Sequence, residues 1–240
     1  MRILVTNDDG IDAEGLRILT EWAIKLGDVT VVAPKFEQSA KSQSIKLRTP
    51  FEVRPSEAFK KHGVNAYLVD STPADCVRFA VDKFGKFDVV FSGINRGLNM
   101  GYDVSYSGTC AAIFEANYAH IPAVAFSTVP EGFSHAEKAL DGIWEYFEKN
   151  DLLSKCDLYN VNIPEDPHGY IMTAQGGAYF RDSFEPCGGD MFITKTIVVA
   201  KKGDCDDLHI DTEAVFNGLI SITPMTVSHT RYDLLGKMIR

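Results

Sequence analysis

The first 34 residues constrain the fold most, because they carry the signals of a strand, a helix and a second strand in quick succession. An aliphatic run at 2–6 ends in the polar turn 7–10, and apolar residues then recur at helical spacing between 13 and 25. A β-branched run at 29–33 follows and stops at Pro34. Together these signals predict a right-handed βαβ unit with two parallel strands.

The same alternation continues to about residue 165. Further strands are predicted at 67–69, 87–91 and 121–126, and further helices at 73–85, 108–119 and 134–149. Alternating apolar and polar residues on both sides of Thr49-Pro50 predict a half-buried hairpin of 45–48 with 51–54. The predicted fold class is α/β, a doubly wound and mostly parallel sheet.

Beyond residue 165 the pattern changes. Strand-like runs at 193–200 and 219–222 flank a short helical stretch at 212–216, and no βαβ repeat is visible. We expect a single domain over 1–240, in which roughly 165–240 forms a β-rich C-terminal extension. Such an extension suits an arm that contacts another subunit.

Composition excludes several classes of function. The 240 residues carry a net charge of -9, which argues against binding to nucleic-acid duplexes, since that requires a basic surface. Five dispersed cysteines without Cys-x-x-Cys spacing are typical of free thiols in a reducing compartment. No apolar stretch is long enough for a membrane span, and the N-terminal apolar run ends at Asp8. We therefore expect a cytoplasmic protein with no membrane partner.

Two adjacent carboxylates, Asp8 and Asp9, directly follow the first predicted strand. Like charges this close resist joint ionisation unless a cation or hydrogen-bond donors offset them. One interpretation is that one carboxylate caps the next helix while the other is solvated. The alternative is a ligand site, because open α/β sheets bind ligands at the carboxyl ends of their strands. The position after the first strand favours the ligand site.

Two further polar loops, near Ser39 and Asn95, follow other predicted parallel strands and are expected at the same edge of the sheet. Carboxylates combined with neutral oxygens from Ser and Asn suit a hard cation such as Mg²⁺, Mn²⁺ or Ca²⁺. They suit zinc poorly, since none of the six histidines lies in these loops.

The stretch from Ser105 to Thr109 opens the next predicted helix. A helix N-terminus presents free backbone N–H groups and a partial positive charge, so it can hold a phosphate. The hydroxyl groups of Ser107 and Thr109 would add donors. The alternative is a plain N-cap serine followed by a close-packed glycine, Gly108.

A metal held by oxygen ligands beside such a helix start favours metal-assisted hydrolysis of a phosphoester. The metal would lower the pKa of a water molecule and neutralise charge on the phosphoryl oxygens. Asp8 or Asp9 would orient that water or accept its proton.

Several familiar templates fail on particular residues. The first turn lacks the Gly-x-Gly-x-x-Gly of dinucleotide sites, no phosphate-binding P-loop is present, and Ser107 lacks the flanking glycines of a serine-hydrolase elbow. A phospho-acceptor receiver module shares the acidic pair, but this chain is much longer and has no lysine loop after Phe126. Two alternatives stay open: a carboxylate acting as covalent nucleophile, and a nucleotide or metal sensor without turnover.

A set of motifs in order along nearly the whole chain resembles the SurE family of survival-protein nucleotidases. They are ILVTNDDGI at 3–11, VAP at 32–34 with QS at 38–39, TPADCV at 72–77, SGIN at 92–95 with Gly97, Asn99, Gly101 and Asp103, YSGT at 106–109, NVNIP at 160–164 and SITP at 221–224. The chain departs from the usual family pattern at Lys35-Phe36, where Asp-Arg is common.

The resemblance implies a metal-dependent 5′-nucleotidase that hydrolyses nucleoside 5′-monophosphates to nucleoside and phosphate. It also implies 3′-nucleotides and short polyphosphate as further substrates. One divalent ion per subunit, Mg²⁺ or Mn²⁺, would be bound by the four residues Asp8, Asp9, Ser39 and Asn95. The substrate phosphate would contact Asn95 and the helix start, that is Ser105, Ser107, Gly108 and Thr109. The implied fold is Rossmann-like, with a swapped C-terminal arm that builds homodimers or homotetramers.

Overall fold

The computed structural model describes residues 1–230, 232 and 234. The strands are β1 Arg2–Thr6, β2 Asp28–Pro34, β3 Val53–Ser56, β4 Asn65–Val69, β5 Val89–Arg96, β6 Ala123–Thr128, β7 Leu158–Ile163, β8 Gly169–Met172, β9 Phe180–Gly188, β10 Met191–Val198 and β11 Leu219–Pro224. The helices are α1 Glu14–Ala23, α2 Pro73–Phe84, α3 Gly108–Tyr118, α4 Phe133–Lys149, α5 Leu152–Lys155 and α6 Asp211–Phe216.

Nine strands form one sheet in the order β3-β4-β2-β1-β5-β6-β7-β11-β8. The six strands from β4 to β7 in this order are mutually parallel. At one edge β3 is antiparallel to β4, and at the other β11 is antiparallel to β7 and parallel to β8. This arrangement confirms the predicted α/β class, Rossmann-like and mostly parallel, and it places the carboxyl ends of β1, β5 and β6 together.

Helices cover both faces of the sheet because every central strand is apolar on both sides. Ile3 and Val5 of β1 belong to the core cluster that contains Leu19 of α1 and Leu140 of α4. Leu4, which points to the opposite face, belongs to the cluster with side chains of α2 and α3. Among the described residues no helix is both long and apolar enough to cross a membrane.

The predicted hairpin of 45–48 with 51–54 is wrong. The partner of β3 is β4, so Val53 pairs with Val69, and 45–48 forms no strand. The reason is a set of side-chain bonds that hold the segment as a loop. The backbone N–H of Lys46 donates to Asp75 at 2.8 Å, and Thr72 donates its hydroxyl hydrogen to the carbonyl oxygen of Ser44 at 2.7 Å.

Strand β5 is longer than predicted. The run at 87–91 was expected to end before the glycine-rich segment, but the strand continues to Arg96. After a register shift its last residues pair again with β6, Asn95 opposite Ser127 and Arg96 opposite Thr128. Asn95 therefore lies on a strand end and not in a free loop.

The C-terminal part contains the predicted extension in more elaborate form. The strands near 193–200 and 219–222 and the helix near 212–216 correspond to β10, β11 and α6. The sequence did not predict β8, which adds to the main sheet, or β9, which forms a separate antiparallel hairpin with β10. Of the predicted extension, residues 231, 233 and 235–240 lie outside the described residues.

Candidate active site

A tight turn presents the two carboxylates at the carboxyl end of β1. The side chain of Asn7 closes this turn, donating from Nδ2 to the Gly10 carbonyl at 2.9 Å and accepting from the Gly10 N–H at 3.3 Å. Gly10 has φ +108°, a conformation that side chains disfavour. The polar turn after the first strand thus fixes the direction of Asp8 and Asp9.

Asp8 is buried directly against the start of α3. Its Oδ1 accepts the hydroxyl hydrogen of Thr109 at 2.5 Å, and only 4% of the residue is exposed. A Cβ added to Gly108 would lie 2.7 Å from the Asp8 Cβ and 2.8 Å from its Oδ2, so only glycine allows this approach. The pKa of Asp8 is raised to about 6: burial is the main cause, the Thr109 hydrogen bond acts in the opposite direction, and the charge of Asp9 adds to the rise.

Asp9 lies beside the end of β5. Its Oδ2 accepts the backbone N–H of Arg96 at 3.2 Å. The pKa of Asp9 is raised, and burial is the main cause. The hydrogen bond from the Arg96 N–H and the charge of Arg96 lower this pKa, while the charge of Glu37 raises it. The turn at the end of β1 is therefore tied to both β5 and α3.

Ser39 and Asn95 bring neutral oxygens to the same place. The loop after β2 is anchored where the N–H of Gln38 donates to the Asp8 carbonyl at 2.7 Å, and the exposed Ser39 donates its hydroxyl hydrogen to Glu37 at 2.7 Å. Asn95 donates from Nδ2 to the Gly97 carbonyl at 2.7 Å, which orients its amide and leaves Oδ1 as its acceptor atom.

Two cavities meet at these residues. We call the first, of about 630 Å³, the aromatic cavity; it is lined by Asp8, Ser39, Ala40, Asn95, Arg96, Gly97, Leu98, Asn99, Tyr102, Asp103, Tyr106, Ser107, Ala178, Phe180, Asp182 and Thr196. The second, of about 640 Å³, is the acidic cavity, lined by Asp9, Ala13, Glu14, Glu37, Ser39, Arg96, Pro130, Glu131, Phe133 and Ser134. The aromatic cavity therefore brings three of the four expected metal ligands together with Ser107.

The three hydroxyl residues expected at the start of α3, namely Ser105, Ser107 and Thr109, have different surroundings. Ser107 is the N-cap of α3, accepting from the Cys110 N–H at 3.0 Å, and it lines the aromatic cavity. Thr109 is engaged by Asp8, so the anion that its hydroxyl contacts is a carboxylate of the chain itself. Ser105 lines a third cavity, of about 550 Å³, that does not contain Asp8.

The segment from β5 to α3 is held by buried polar groups of distant strands. The Asn99 carbonyl accepts from Nδ2 of Asn160 at 2.7 Å and of Asn162 at 2.9 Å. Farther along, the buried carboxylate of Asp211 accepts the N–H groups of Gly101 and Gly176, both at 2.8 Å. These bonds connect the site to β7 and to α6, and burial is the main cause of the raised pKa of Asp211.

Several residues that line the aromatic cavity were missed as site residues. Asp103 lies in the polar, glycine-rich segment after β5, so its composition was a usable signal. Asp103 accepts the N–H of Phe180 at 3.1 Å, a contact 77 residues apart, which brings the base of the β9–β10 hairpin to the cavity. Nothing local in the sequence marks Phe180, Asp182 or Thr196 for this position.

The donor set fits a hard divalent cation. Asp8 is a buried carboxylate, and in the described part of the chain no positive side chain is among the charges that act on it. Buried charges ordinarily have a partner, and two adjacent carboxylates leave a negative centre that a cation would balance. Among the described residues no group of three or more His, Cys, Asp or Glu could hold a metal. The oxygen donors near this turn, two carboxylates and neutral Ser and Asn oxygens, are of the kind that Mg²⁺ or Ca²⁺ takes.

Comparison with known proteins identifies the family of this chain. The family model of the survival protein SurE matches residues 3–182. A 5′-nucleotidase SurE of Thermosipho melanesiensis is 35% identical, with 99% of this chain and 96% of that protein aligned. One from Geotalea daltonii is 37% identical, with 98% and 97% aligned.

The fold also matches a solved structure over nearly the whole chain. The crystal structure of the SurE protein from Aquifex aeolicus superposes with a TM-score of 0.81 at 30% identity, covering 99% of this chain and 98% of that one. Sequence and structure therefore agree over nearly the full length. This chain belongs to the SurE family.

Proposed function

We propose that this protein is a metal-dependent phosphomonoesterase that hydrolyses nucleoside 5′-monophosphates to nucleoside and phosphate. The observation that carries the proposal is the convergence of Asp8, Ser39, Asn95 and Ser107 on one cavity at the carboxyl edge of the sheet. Relatives of this chain at 35% identity or more over nearly its whole length are named 5′-nucleotidases.

The four residues that would hold the divalent ion, Mg²⁺ or Mn²⁺, are Asp8, Asp9, Ser39 and Asn95. When bound, the ion supplies positive charge to the phosphoryl oxygens and makes water a better nucleophile near neutral pH. The Ser39 hydroxyl group donates a hydrogen bond to Glu37, so the lone pairs of the Ser39 oxygen remain available for a cation.

The substrate phosphate would be oriented by side chains at the helix start. Ser107 can donate to a phosphoryl oxygen while its own oxygen caps α3, and Gly108 lets the Asp8 carboxylate approach the helix closely. Thr109 acts through Asp8, which its hydroxyl holds in place. Asp9, the more exposed of the pair, is the candidate that orients water or accepts its proton.

The finer properties belong to the same proposal. 3′-Nucleotides are a further substrate class to assay. The exposed Phe184, Phe192 and Ile193 on the β9–β10 hairpin support assembly into a homodimer or homotetramer through the C-terminal extension. The five cysteines are free thiols, which supports a reducing cytoplasmic location.

Phosphate release from a panel of nucleoside 5′- and 3′-monophosphates tests the proposal. The assay compares protein with added Mg²⁺ or Mn²⁺, the same protein in chelator, and chelated protein with the metal restored. We expect release only with metal, while circular dichroism shows the fold retained in chelator. Turnover that persists in chelator would contradict the mechanism. Nucleotide binding without release by folded, metal-supplied protein would favour the sensor alternative, and a phospho-aspartate trapped by borohydride would favour the covalent one.

A further inference from the structure

Three buried asparagines bond to one another where the segment after β5 reaches β7. Asn99 belongs to that segment, while Asn160 and Asn162 lie on β7. Each of the three is at most 8% exposed. An asparagine side chain carries an acceptor oxygen and an NH₂ donor, and burying it is costly unless these atoms are bonded. The partners of these side chains therefore show what they are there to hold.

The Asn162 side chain holds both backbone groups of Asn99. Its Oδ1 accepts the Asn99 N–H at 2.8 Å, and its Nδ2 donates to the Asn99 carbonyl at 2.9 Å. Two opposite residues of an antiparallel sheet exchange the same pair of bonds through their backbones. Strand β5 has already ended at Arg96, so the amide of Asn162 serves the segment as a strand partner would. A carboxylate could only accept, and an apolar side chain could make neither bond.

Two further bonds connect Asn99 to the sheet. Asn160 donates from Nδ2 to the Asn99 carbonyl at 2.7 Å, and Asn99 donates from its own Nδ2 to the hydroxyl oxygen of Ser127 at 2.8 Å. Ser127 lies on β6, opposite Asn95 on one side and opposite Asn162 on the other. The backbone of Asn99 is therefore fixed relative to the strand end that carries Asn95.

The peptide group that contains the Gly97 carbonyl is held from both sides. Before it, the Gly97 N–H donates to the Thr128 carbonyl at 2.8 Å. After it, the Asn99 N–H donates to Asn162. Gly97 has φ +134°, where glycine turns freely, so the first anchor alone would not fix the carbonyl that follows. This carbonyl is the group that accepts from Nδ2 of Asn95 at 2.7 Å.

The orientation of the Asn95 amide depends on this peptide group. While Nδ2 is bonded to the Gly97 carbonyl, Oδ1 remains as the acceptor atom that a cation needs. If the carbonyl moved, the amide could turn and present its NH₂ hydrogens, which repel a cation. Groups that orient a metal ligand in this way change metal affinity without contacting the metal.

We infer that Asn162 is a positioning residue that keeps Oδ1 of Asn95 available to the divalent ion. It fixes the backbone of Asn99 and thereby the Gly97 carbonyl to which the Asn95 amide is bonded. Asn162 lines neither the aromatic nor the acidic cavity, so its effect on metal binding passes through the segment 97–99. The inference rests on the proposed function, which assigns Asn95 to the ion.

A double-mutant cycle on Mn²⁺ affinity, measured by calorimetry, is the first test. Its variants are Asn162→Leu, Asn95→Ala and the two combined. Leucine is close to asparagine in size and removes both bonds to Asn99. We expect Asn162→Leu alone to weaken Mn²⁺ binding roughly 10- to 100-fold, as for other residues that orient a metal ligand. In the Asn95→Ala background the same change should have little further effect, because the ligand that it orients is gone.

Thr173→Val is the matched control. The buried hydroxyl group of Thr173 bonds to Ser221 at 2.8 Å and to Thr223 at 2.7 Å, so the variant also loses two buried bonds beside the sheet, but none to the segment 97–99. We expect it to bind Mn²⁺ like wild type. Unchanged affinity in Asn162→Leu would overturn the inference. A loss that is as large in the control, or as large in the Asn95→Ala background, would show a general effect on stability and overturn it too.

The second test needs neither metal nor turnover. Hydrogen exchange of the Asn95 side-chain NH₂ group is followed by NMR in metal-free protein, with Asn95→Ala identifying the signal. We expect exchange to be faster in Asn162→Leu than in wild type and unchanged in Thr173→Val, because only the first releases the Gly97 carbonyl. Asn162→Ser, which is too short to reach both backbone groups, replaces the leucine variant if that does not fold.

Unchanged exchange in the Asn162 variants would contradict the positioning role. The two proposals can fail separately. If folded, metal-supplied wild type hydrolyses no nucleotide, the proposed function fails, while the Mn²⁺ cycle still decides whether Asn162 acts through Asn95. If wild type binds no Mn²⁺, the assignment of Asn95 to the ion fails and the inference fails with it, whatever the exchange shows.

Discussion

The hydroxyl group of Thr109, in the first turn of α3, donates to Oδ1 of Asp8 at 2.5 Å, joining residues 101 positions apart. The same helix turn places Gly108 against the Asp8 carboxylate. The edge of β1 and the start of α3 therefore form one unit, in which the helix holds a carboxylate of the chain. Perturbing either side of this unit should alter the chemistry of the other.

Replacing Thr109 by Val removes the donor while keeping the shape of the side chain. Asp8 then loses a hydrogen bond to its charged form, so its pKa rises above about 6 and its orientation loosens. We expect kcat/KM to fall roughly tenfold to a hundredfold, in line with the loss of one charge-assisted hydrogen bond. The acidic limb of the pH–rate profile should move to higher pH. Thr109→Ser keeps the hydroxyl group, and a serine variant as impaired as the valine variant would contradict this role.

Replacing Gly108 by Ala should displace Asp8, because the new Cβ would lie 2.7 Å from the Asp8 Cβ. We expect metal affinity and turnover to fall at least tenfold, although alanine is a better helix former than glycine. Gly177→Ala is the control, since a Cβ there meets no atom within 4 Å. Unchanged metal binding in Gly108→Ala, measured by calorimetry, would show that this contact is not important.

Metal-free protein should lose stability as Asp8 ionises. Burial raises the folded-state pKa of Asp8 from 3.8 to about 6, so the unfolded chain releases this proton at lower pH. The stability is fully present below about pH 4 and is lost as pH rises through about 6, a loss of roughly 3 kcal/mol by linkage. Asp8→Asn cannot ionise, so it should be more stable than wild type at pH 7.5 by roughly 2–3 kcal/mol, and this gain should disappear near pH 4.

Urea unfolding from pH 4 to pH 8 in chelator measures this difference. A ligand that binds the folded state stabilises it, so added Mg²⁺ or Mn²⁺ should raise the free energy of unfolding of wild type and bring it closer to that of Asp8→Asn. The metal should stabilise the Asp8→Asn variant much less. Equal stability of wild type and variant at every pH would show that Asp8 carries no ionisation cost in the folded protein.

Asp211 should be required for the position of the segment between β5 and α3. Its carboxylate accepts hydrogen bonds from the backbone N–H groups of Gly101, Gly176 and Thr212. In Asp211→Asn the side-chain NH₂ group would face at least one of these N–H groups, and two donors cannot bond to each other. We expect a loss of roughly 2–4 kcal/mol in the free energy of unfolding. Denaturant titration checks it, with the exposed Asp206→Asn as control. A fully stable Asp211→Asn variant would mean that this network contributes little.

The local parts of the fold were predictable and the non-local parts were not. The run from β1 to β2 and the start of α2 at Thr72 and Pro73 follow from signals within a few residues, and Thr72 indeed caps the helix. The hairpin at 45–54 failed because Asp75, distant in sequence, accepts the backbone N–H of Lys46. Periodicity carries no information about such contacts.

The same distinction applies to the candidate site. Asp8 and Asp9 follow β1 and Asn95 lies at the end of β5, two parallel neighbours, so their proximity could be predicted from topology alone. The hydrogen bond from Thr109 to Asp8 could not be predicted. A hydroxyl group at a helix start can cap the helix, bind a phosphate or bond to another side chain, and the sequence does not distinguish these roles. The base of the β9–β10 hairpin reaches the cavity through the Asp103–Phe180 bond, which pairs residues with no shared local pattern.

The most direct test of the central claim is phosphate release from nucleoside 5′-monophosphates by wild type, Asp9→Asn and Asp12→Asn, each with saturating Mn²⁺. Asp12 is an exposed carboxylate near the same turn that lines neither cavity, so it controls for charge. We expect metal-dependent release by wild type and Asp12→Asn, and a loss of a hundredfold or more in folded Asp9→Asn, of the order seen when catalytic acid–base groups are removed. Full activity of Asp9→Asn would place the chemistry elsewhere and contradict the account.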